Sequence, residues 1–425
     1  MGSKNLKAII VKGTQKVPLA DEQAFEDYIK EIILPKFRTS ERVKKFGPYG
    51  TPGVLAIVNS QGILPTRNYQ KGVFEGAAAI DGEAVKEASI KHETCYRCPV
   101  ACKPHTRVES GEYAGYDTEG PEYETLYAFG SNLGNSNLGS IIAANKLCQL
   151  YGVDTISIGN VIGFAMECFE KGILTKKNTE GLELRFGNHQ NLLPLIKKIA
   201  FREGLGDILA EGVKRAAEKF GKGAHDYAME VKGLEMSGYD PRGAKTMGIA
   251  YATSPRGGCH QRGLIVQETF GLPPFVDRFS TEGKGELARR KQDEAAVQDA
   301  LGFCVFVSRG DPIGFPEMAE MFTLATGVSL TPADLLKAGE RIWNIERLYN
   351  LREGFTGKDD YLPKRFLEQP MDQGPTKGHV VPLDQLLKDY YQQRGWDEKG
   401  RITPEKLEEL GLKNLAFILP TGLPG

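Results

Sequence analysis

Nowhere in the 425 residues do eighteen apolar side chains run consecutively, so no membrane-spanning helix is expected. An excess of one charge is also missing. The formal net charge is −1, too small for a field that gathers nucleic acid or an anionic membrane surface. The opening MGSKNLKAIIVKG has a short apolar run but no small-residue cleavage site, which argues against a secretory leader. Leu6 stands where a myristoylation signal needs Ser or Thr. Repeats and low-complexity tracts are absent, and strand signals are sparse. Seven cysteines without a leader point to a reducing, cytoplasmic setting and away from a disulfide framework. Glycine, by contrast, is plentiful at 50 residues, which predicts tight turns and close backbone approaches.

Most periodic segments read as helix. Ile158, Val161, Ile162, Ala165 and Phe169 recur at helical spacing before Gly172, and Leu138, Ile141, Ile142, Asn145 and Cys148 line a second face ending at Gly152. Leu205 to Phe220 reads as a third helix closed by Gly221. Thr331-Pro332-Ala333-Asp334 reads as the capped start of a fourth that ends near Gly354. Leu6 to Val11 is the better strand candidate and Gly53 to Val58 the weaker. The charged stretch 281–298 predicts a solvated helix or loop, and the Gly/Pro-rich stretch 371–379 a surface excursion. The span from Gly233 to Gly263 combines many glycines with Asp240, Arg242, Arg256, His260 and Arg262, the composition of a loop-rich wall around a ligand.

The densest chemistry lies in TCYRCPVACKP, where Cys95, Cys98 and Cys102 are spaced C-x2-C-x3-C. Three thiols so close suggest a metal, and both a structural zinc and a cubane cluster want four ligands. Zinc modules pair two knuckles, or one knuckle with two closely spaced histidines, and His92 and His105 repeat no such spacing. Radical enzymes that cleave S-adenosylmethionine resemble C-x3-C-x2-C, the reverse order. An iron–sulfur cluster fits best. For its fourth ligand, Cys148 and Cys168 sit at helical spacing where core thiols are the rule, and spacing leaves Cys259 and Cys304 both open.

Seven ordered stretches decide the matter by resemblance: GSKNLKAI (from Gly2), CYRCPVAC (from Cys95), GPEYET (from Gly120), YGVDTISIGN (from Tyr151), GYDPRGAK (from Gly238), YATSPRGGCH (from Tyr251) and DALGFC (from Asp299). Together the sequence resembles the aldehyde:ferredoxin oxidoreductase family nearly end to end. The resemblance implies a [4Fe–4S] cluster beside a tungsten, or molybdenum, bis-pterin. It places the fourth cluster ligand at Cys304, in a motif where Phe303 replaces the family's Leu. Pterin contacts are implied at Asp154 and Ser157, at Asp240, Arg242 and Arg256 of the glycine-rich wall, and at Asp299 and Gly302. The implied active-site carboxylate is Glu124, with Glu122 as rival, and the implied histidine is His260.

The implied reaction oxidises an aldehyde to a carboxylic acid, with Glu124 as general base, His260 orienting the oxygen and Tyr123 assisting. Electrons leave through the cluster to ferredoxin. The implied fold is mainly α: a short β remnant within 1–25, then two helical domains, 26–229 and 230–425, enclosing the cofactor site. Members of the family begin with a β-rich domain that forms the pterin's base, and GSKNLKAI matches its end. A fragment or mis-assigned start is therefore expected, with a separate first-domain polypeptide, or loss of the tungsten role, as alternatives. The chain alone is expected to hold the pterin poorly. No histidine has Glu three residues before it, so no metal bridging two subunits is expected, and a homodimer rests on analogy. The competing readings are a benzoyl-CoA-reductase-type tungsten subunit and a cluster-bearing electron-transfer subunit without catalysis.

Overall fold

The computed structural model describes residues 5–418. It is mainly helical, with two small antiparallel sheets. No helix among the described residues is long and apolar enough to cross a membrane.

Near the start, Ser40 caps helix α1 (Glu41–Tyr49) by accepting from the Val43 amide at 3.1 Å. Strands β1 (Ser89–Glu93), β2 (Lys103–Arg107) and β3 (Asp117–Glu119) form an antiparallel sheet in that order. Glu93 pairs with Lys103, so β1 and β2 hold the three-cysteine loop between their ends. Helix α2 (Tyr123–Phe129) leads into α3 (Leu138–Tyr151), which Gly152 ends in the left-handed conformation at φ 68°. Asp154 then caps α4 (Thr155–Glu170) through the Ser157 amide at 2.8 Å. Cys148 and Cys168 are buried core thiols, as their spacing predicts.

A two-residue turn at Lys232 and Gly233, both at positive φ, joins β4 (Glu230–Val231) to β5 (Leu234–Glu235). After it come α5 (Lys245–Thr253), buried along its whole length, α6 (Lys284–Leu301), α7 (Pro332–Arg352) and α8 (Leu383–Arg394). One large hydrophobic core runs from Leu55 to Leu412. A smaller one packs Ile33 and Phe37 against Val297, Met318 and Leu335, with Val100 of the cysteine loop between them.

Several expectations change. Residues 6–11 form no strand and lie exposed, because no second strand is there to pair with them; the proposed β remnant is absent among the described residues, and residues 1–4 lie outside them. Gly53 to Val58 is a 3₁₀ turn (Thr51–Val54) running into helix Leu55–Ser60, with Leu55 and Val58 buried; a short apolar run does not distinguish strand from helix. The third predicted helix is two, Leu205–Leu209 and Val213–Phe220, broken at Gly212 with φ 85°.

The charged stretch 281–298 is not a solvated face. It supplies most of α6, whose Lys284, Gln292 and Asp293 are buried. Lys284 meets Glu268 at 2.5 Å, and Arg394 meets Asp293 at 2.5 Å. Nor is 371–379 wholly a surface excursion: Met371 is buried, and the buried Thr376 hydroxyl donates to the Gly62 carbonyl at 3.1 Å.

Candidate active site

Glu124 is the second residue of α2 and faces inward. The Gly238 amide donates to its Oε2 at 2.8 Å, while the Tyr123 hydroxyl donates to the Gly238 carbonyl. One peptide thus fixes two consecutive side chains. Only glycine fits there, because a Cβ at 238 would stand 2.8 Å from the Tyr127 ring. Glu124 Oε1 is buried without a partner. Its neighbour is His260 Nδ1 at 3.5 Å, too long for a hydrogen bond. Gln261 Nε2 lies 2.8 Å from His260 Nε2; with that amide assignment Gln261 donates, and the ring proton sits on Nδ1, toward Glu124.

Burial sets the charge state of this pair. It pushes the Glu124 carboxyl up to about 8 despite the Gly238 amide, with Asp154 adding to the rise. It pulls His260 down to about 3, helped by Arg309 and Arg256. At neutral pH the two face each other as a protonated acid and a neutral imidazole. Both line a cavity of about 1050 Å³. Its walls are largely apolar, with Phe46, Ile57, Leu264, Phe270 and Phe306 among them.

The four cysteines of the sequence assignment lie in one neighbourhood, where Cys304 acts on Cys102 and is itself acted on by Cys98 and Cys95. Cys95, Cys98, Cys102 and Cys304 are all free and at least partly exposed. The three-cysteine loop is tight: the Cys98 amide donates to the Cys95 carbonyl at 3.0 Å, and Arg97 and Ala101 both take positive φ. Cys304 follows the end of α6. Gly302 ends α6 at φ 73°, and the Phe303 amide folds back onto the Gln298 carbonyl at 2.9 Å. Burial pushes Cys102 up to about 12, and nearby Glu122, Cys304 and Cys98 add to it. Burial likewise raises Cys304, with Cys98 and Cys95 contributing. Cys259 lies elsewhere, accepting from Arg256 Nη2 at 2.9 Å and the Gln261 amide at 3.3 Å. Among the described residues no three His, Cys, Asp or Glu side chains converge tightly enough to hold a single metal ion. A four-iron cube makes a different demand, one thiolate on each of four metal atoms.

The remaining sequence candidates scatter. Asp154 is exposed and Ser157 half-buried at the start of α4, where the Ser157 hydroxyl donates to Glu235 at 2.8 Å. Asp240 and Arg242 are buried and form a two-point ion pair, Nη2 to Oδ2 at 2.6 Å and Nε to Oδ1 at 3.0 Å. Arg242 also donates to the Tyr69 and Gln369 carbonyls, so this pair is committed to internal packing and does not line the cavity. The glycines around them serve the same end: a Cβ at Gly243 would stand 2.2 Å from Ile63, and one at Gly257 2.2 Å from the Val231 carbonyl. Asp299 accepts from Arg262 at 2.5 Å, and Arg262 also pairs with Glu346. Glu122 lines the cavity but is bonded to Thr51, and it is Glu124 that meets His260.

Sequence reasoning missed Thr51, Tyr239 and Arg309. Thr51 accepts from the Tyr123 amide at 2.9 Å, and all three line the cavity. Tyr239 lies inside GYDPRGAK, a stretch read for its charged residues, whereas Thr51 and Arg309 come to the site only through the fold.

Known proteins resemble this chain along most of its length. Residues 28–412 match the family described as aldehyde ferredoxin oxidoreductase, domains 2 and 3. The chain is 46% identical over 418 residues to a tungsten-containing aldehyde ferredoxin oxidoreductase of Thermococcus kodakarensis, covering 97% of this chain and 68% of that protein. The Pyrococcus furiosus protein of the same name is 44% identical over 419 residues, with the same coverage. An aliphatic sulfonate oxidoreductase, WOR-like subunit, of P. furiosus is 32% identical over 436 residues, covering 97% of this chain and 65% of that subunit. Among solved structures, a chain of the BamBC active-site complex of benzoyl coenzyme A reductase superposes with a TM-score of 0.76 over 99% of this chain and 71% of the other; at 21% identity the likeness is one of fold. Matched along nearly all its length by the family's own description and by its tungsten-containing members, the chain belongs to the aldehyde ferredoxin oxidoreductase family, a family of oxidoreductase enzymes.

Proposed function

We propose that this chain carries the acid–base residues and the cluster ligands of a tungsten-pterin aldehyde oxidoreductase. The observation that carries the reading is the Glu124–His260 pair: two groups 3.5 Å apart, with one carboxyl oxygen buried and unpartnered, at the wall of a largely apolar cavity. The reaction balances as aldehyde plus water giving carboxylic acid, two protons and two electrons. When bound, the tungsten bis-pterin would supply a two-electron acceptor, and a [4Fe–4S] cluster held by the four cysteines would supply one-electron transfer toward ferredoxin.

The chain's residues fit these groups. Four neighbouring free thiols, Cys95, Cys98, Cys102 and Cys304, suit a cubane. Asp154 and Asp299 each engage one carboxylate oxygen internally, which leaves the other for the hydrogen-bonding edge of a pterin.

Within the cavity, deprotonated Glu124 takes the proton of the attacking water; burial keeps it a strong enough base to do so near neutrality. Neutral His260 directs its Nδ1 proton toward the same space and orients the oxygen. Tyr123 positions Glu124 by fixing the Gly238 peptide, and the apolar walls exclude bulk water.

Aldehyde turnover by the Glu124→Gln enzyme tests the base. For the cluster, Cys304→Ser should cut the iron content of anaerobically purified protein and abolish the four-iron absorption, while Cys259→Ser keeps both. Equal iron in the two variants would remove Cys304 from the ligand set.

A further inference from the structure

Burial raises the Glu122 carboxyl, holds Glu124 protonated at neutral pH and keeps His260 neutral. Of the cavity's cations, Arg42, Lys45 and Arg309, it is Arg309 that bears on His260. Arg309 lines the cavity, half-buried, and makes no ion pair and no hydrogen bond among the described residues. The carboxylate that bears on it most, Glu294, already pairs with Arg290 at 3.0 Å and Lys291 at 2.7 Å. Arg42, also lining the cavity, repels it and donates to the Asp311 carbonyl at 3.0 Å. Burial brings Arg309 down to about 10, so it stays charged at neutral pH. Its influence on Tyr239, His260 and Cys304 places the guanidinium near both the Glu124–His260 pair and the proposed cluster ligand. The other carboxylates of the cavity wall are engaged elsewhere, Glu41 with Lys44, Asp81 with the Glu83 amide, Glu83 with the Tyr49 hydroxyl and Asp311 with the Ser40 hydroxyl, which leaves Arg309 free to meet an anion.

Resting on the reaction proposed above, we infer that Arg309 is the anion-binding position of this cavity and takes the carboxylate that aldehyde oxidation produces. The guanidinium fork matches a carboxylate at two points, and the apolar walls receive the remainder of the molecule. A neutral aldehyde gains little from Arg309, so the contact forms as the product forms. An anionic group of the cofactor has the same chemistry, and the experiment separates the two.

The test is calorimetric titration of the anaerobically purified protein with benzoate, benzamide and inorganic phosphate, in wild type, Arg309→Gln and Arg309→Lys. Expected is benzoate bound more tightly than benzamide by wild type, and a loss of about ten- to hundredfold in benzoate affinity in Arg309→Gln. Arg309→Lys should keep part of that affinity, and benzamide should be indifferent to both changes. Equal affinity of wild type for benzoate and benzamide overturns the inference, whatever the variants do. Unchanged benzoate affinity in Arg309→Gln, accompanied by loss of phosphate binding and of tungsten content, overturns it in favour of the cofactor's anionic group. These readouts involve no turnover. An active Glu124→Gln enzyme would therefore defeat the proposed reaction while the preference for anions was measured separately.

Discussion

Glu124→Gln should lower aldehyde turnover by about 10²–10⁴-fold, the usual worth of a positioned general base, with iron and tungsten contents unchanged. Glutamine keeps the size of the side chain and can still accept from the Gly238 amide, so the cavity should survive the change. What is lost is the proton site on Oε1 facing His260. The pH profile follows from the same burial. The carboxyl is raised to about 8, so the base form grows as pH rises, and kcat/KM of the wild type should climb to a plateau above about pH 8. His260, pulled to about 3, should add no limb between pH 5 and 9. Stability carries the matching signature. A raised carboxyl pKa favours the folded protein fully below the unfolded value near about 4.3, and the benefit is lost as pH rises through about 8. Glu124→Gln should flatten that decline. A variant with wild-type turnover would remove Glu124 from the chemistry.

Asp360→Ala should be the most damaging change to the fold, costing about 3–5 kcal/mol, the usual effect of stripping one partner from a buried ion network. The Asp360 carboxylate is fully buried and meets Lys232 at 3.0 Å, Arg347 at 2.9 Å and the Tyr391 hydroxyl at 2.7 Å. Removing it leaves two buried cations facing each other. Burial alone would raise this carboxyl, but Arg347 and Lys232 outweigh burial and hold it below its ordinary value. A depressed carboxyl stabilises the fold above its unfolded pKa of about 3.9 and loses that effect as pH falls through the folded value. The gap between wild type and Asp360→Ala in urea midpoint should therefore be full at pH 7 and shrink below about pH 4. A midpoint unchanged at pH 7 would show that the network adds nothing.

Legibility in the sequence followed how local each determinant was. Helices α3, α4 and α7 could be read because a glycine stop follows each periodic face, at Gly152, Gly172 and Gly354, and Thr331-Pro332 opens the last of them. The strand at residues 6–11 failed because a strand needs a partner, which no local pattern supplies. The 281–298 stretch was misread because its counter-charges, Glu268 and Arg394, are far away in the chain. Of the site, Glu124 and His260 were found through motif resemblance and came together in space. Asp240 and Arg242 show the opposite outcome: charged residues among glycines suggest a ligand, yet here they pair with each other. Arg309 was invisible because its significance is the absence of a partner, a property only the folded chain possesses.

Helix α6 also works as a measuring rod. It is anchored by Lys284 on Glu268 and by Asp293 on Arg394, and it is cut off at Gly302. One residue inserted between these anchors and Asp299 would turn everything beyond by about 100° and advance it about 1.5 Å. Asp299 would leave Arg262, and Cys304 would swing away from the other three cysteines. Changes in chain length among relatives should thus spare this span and collect in exposed turns such as 109–112.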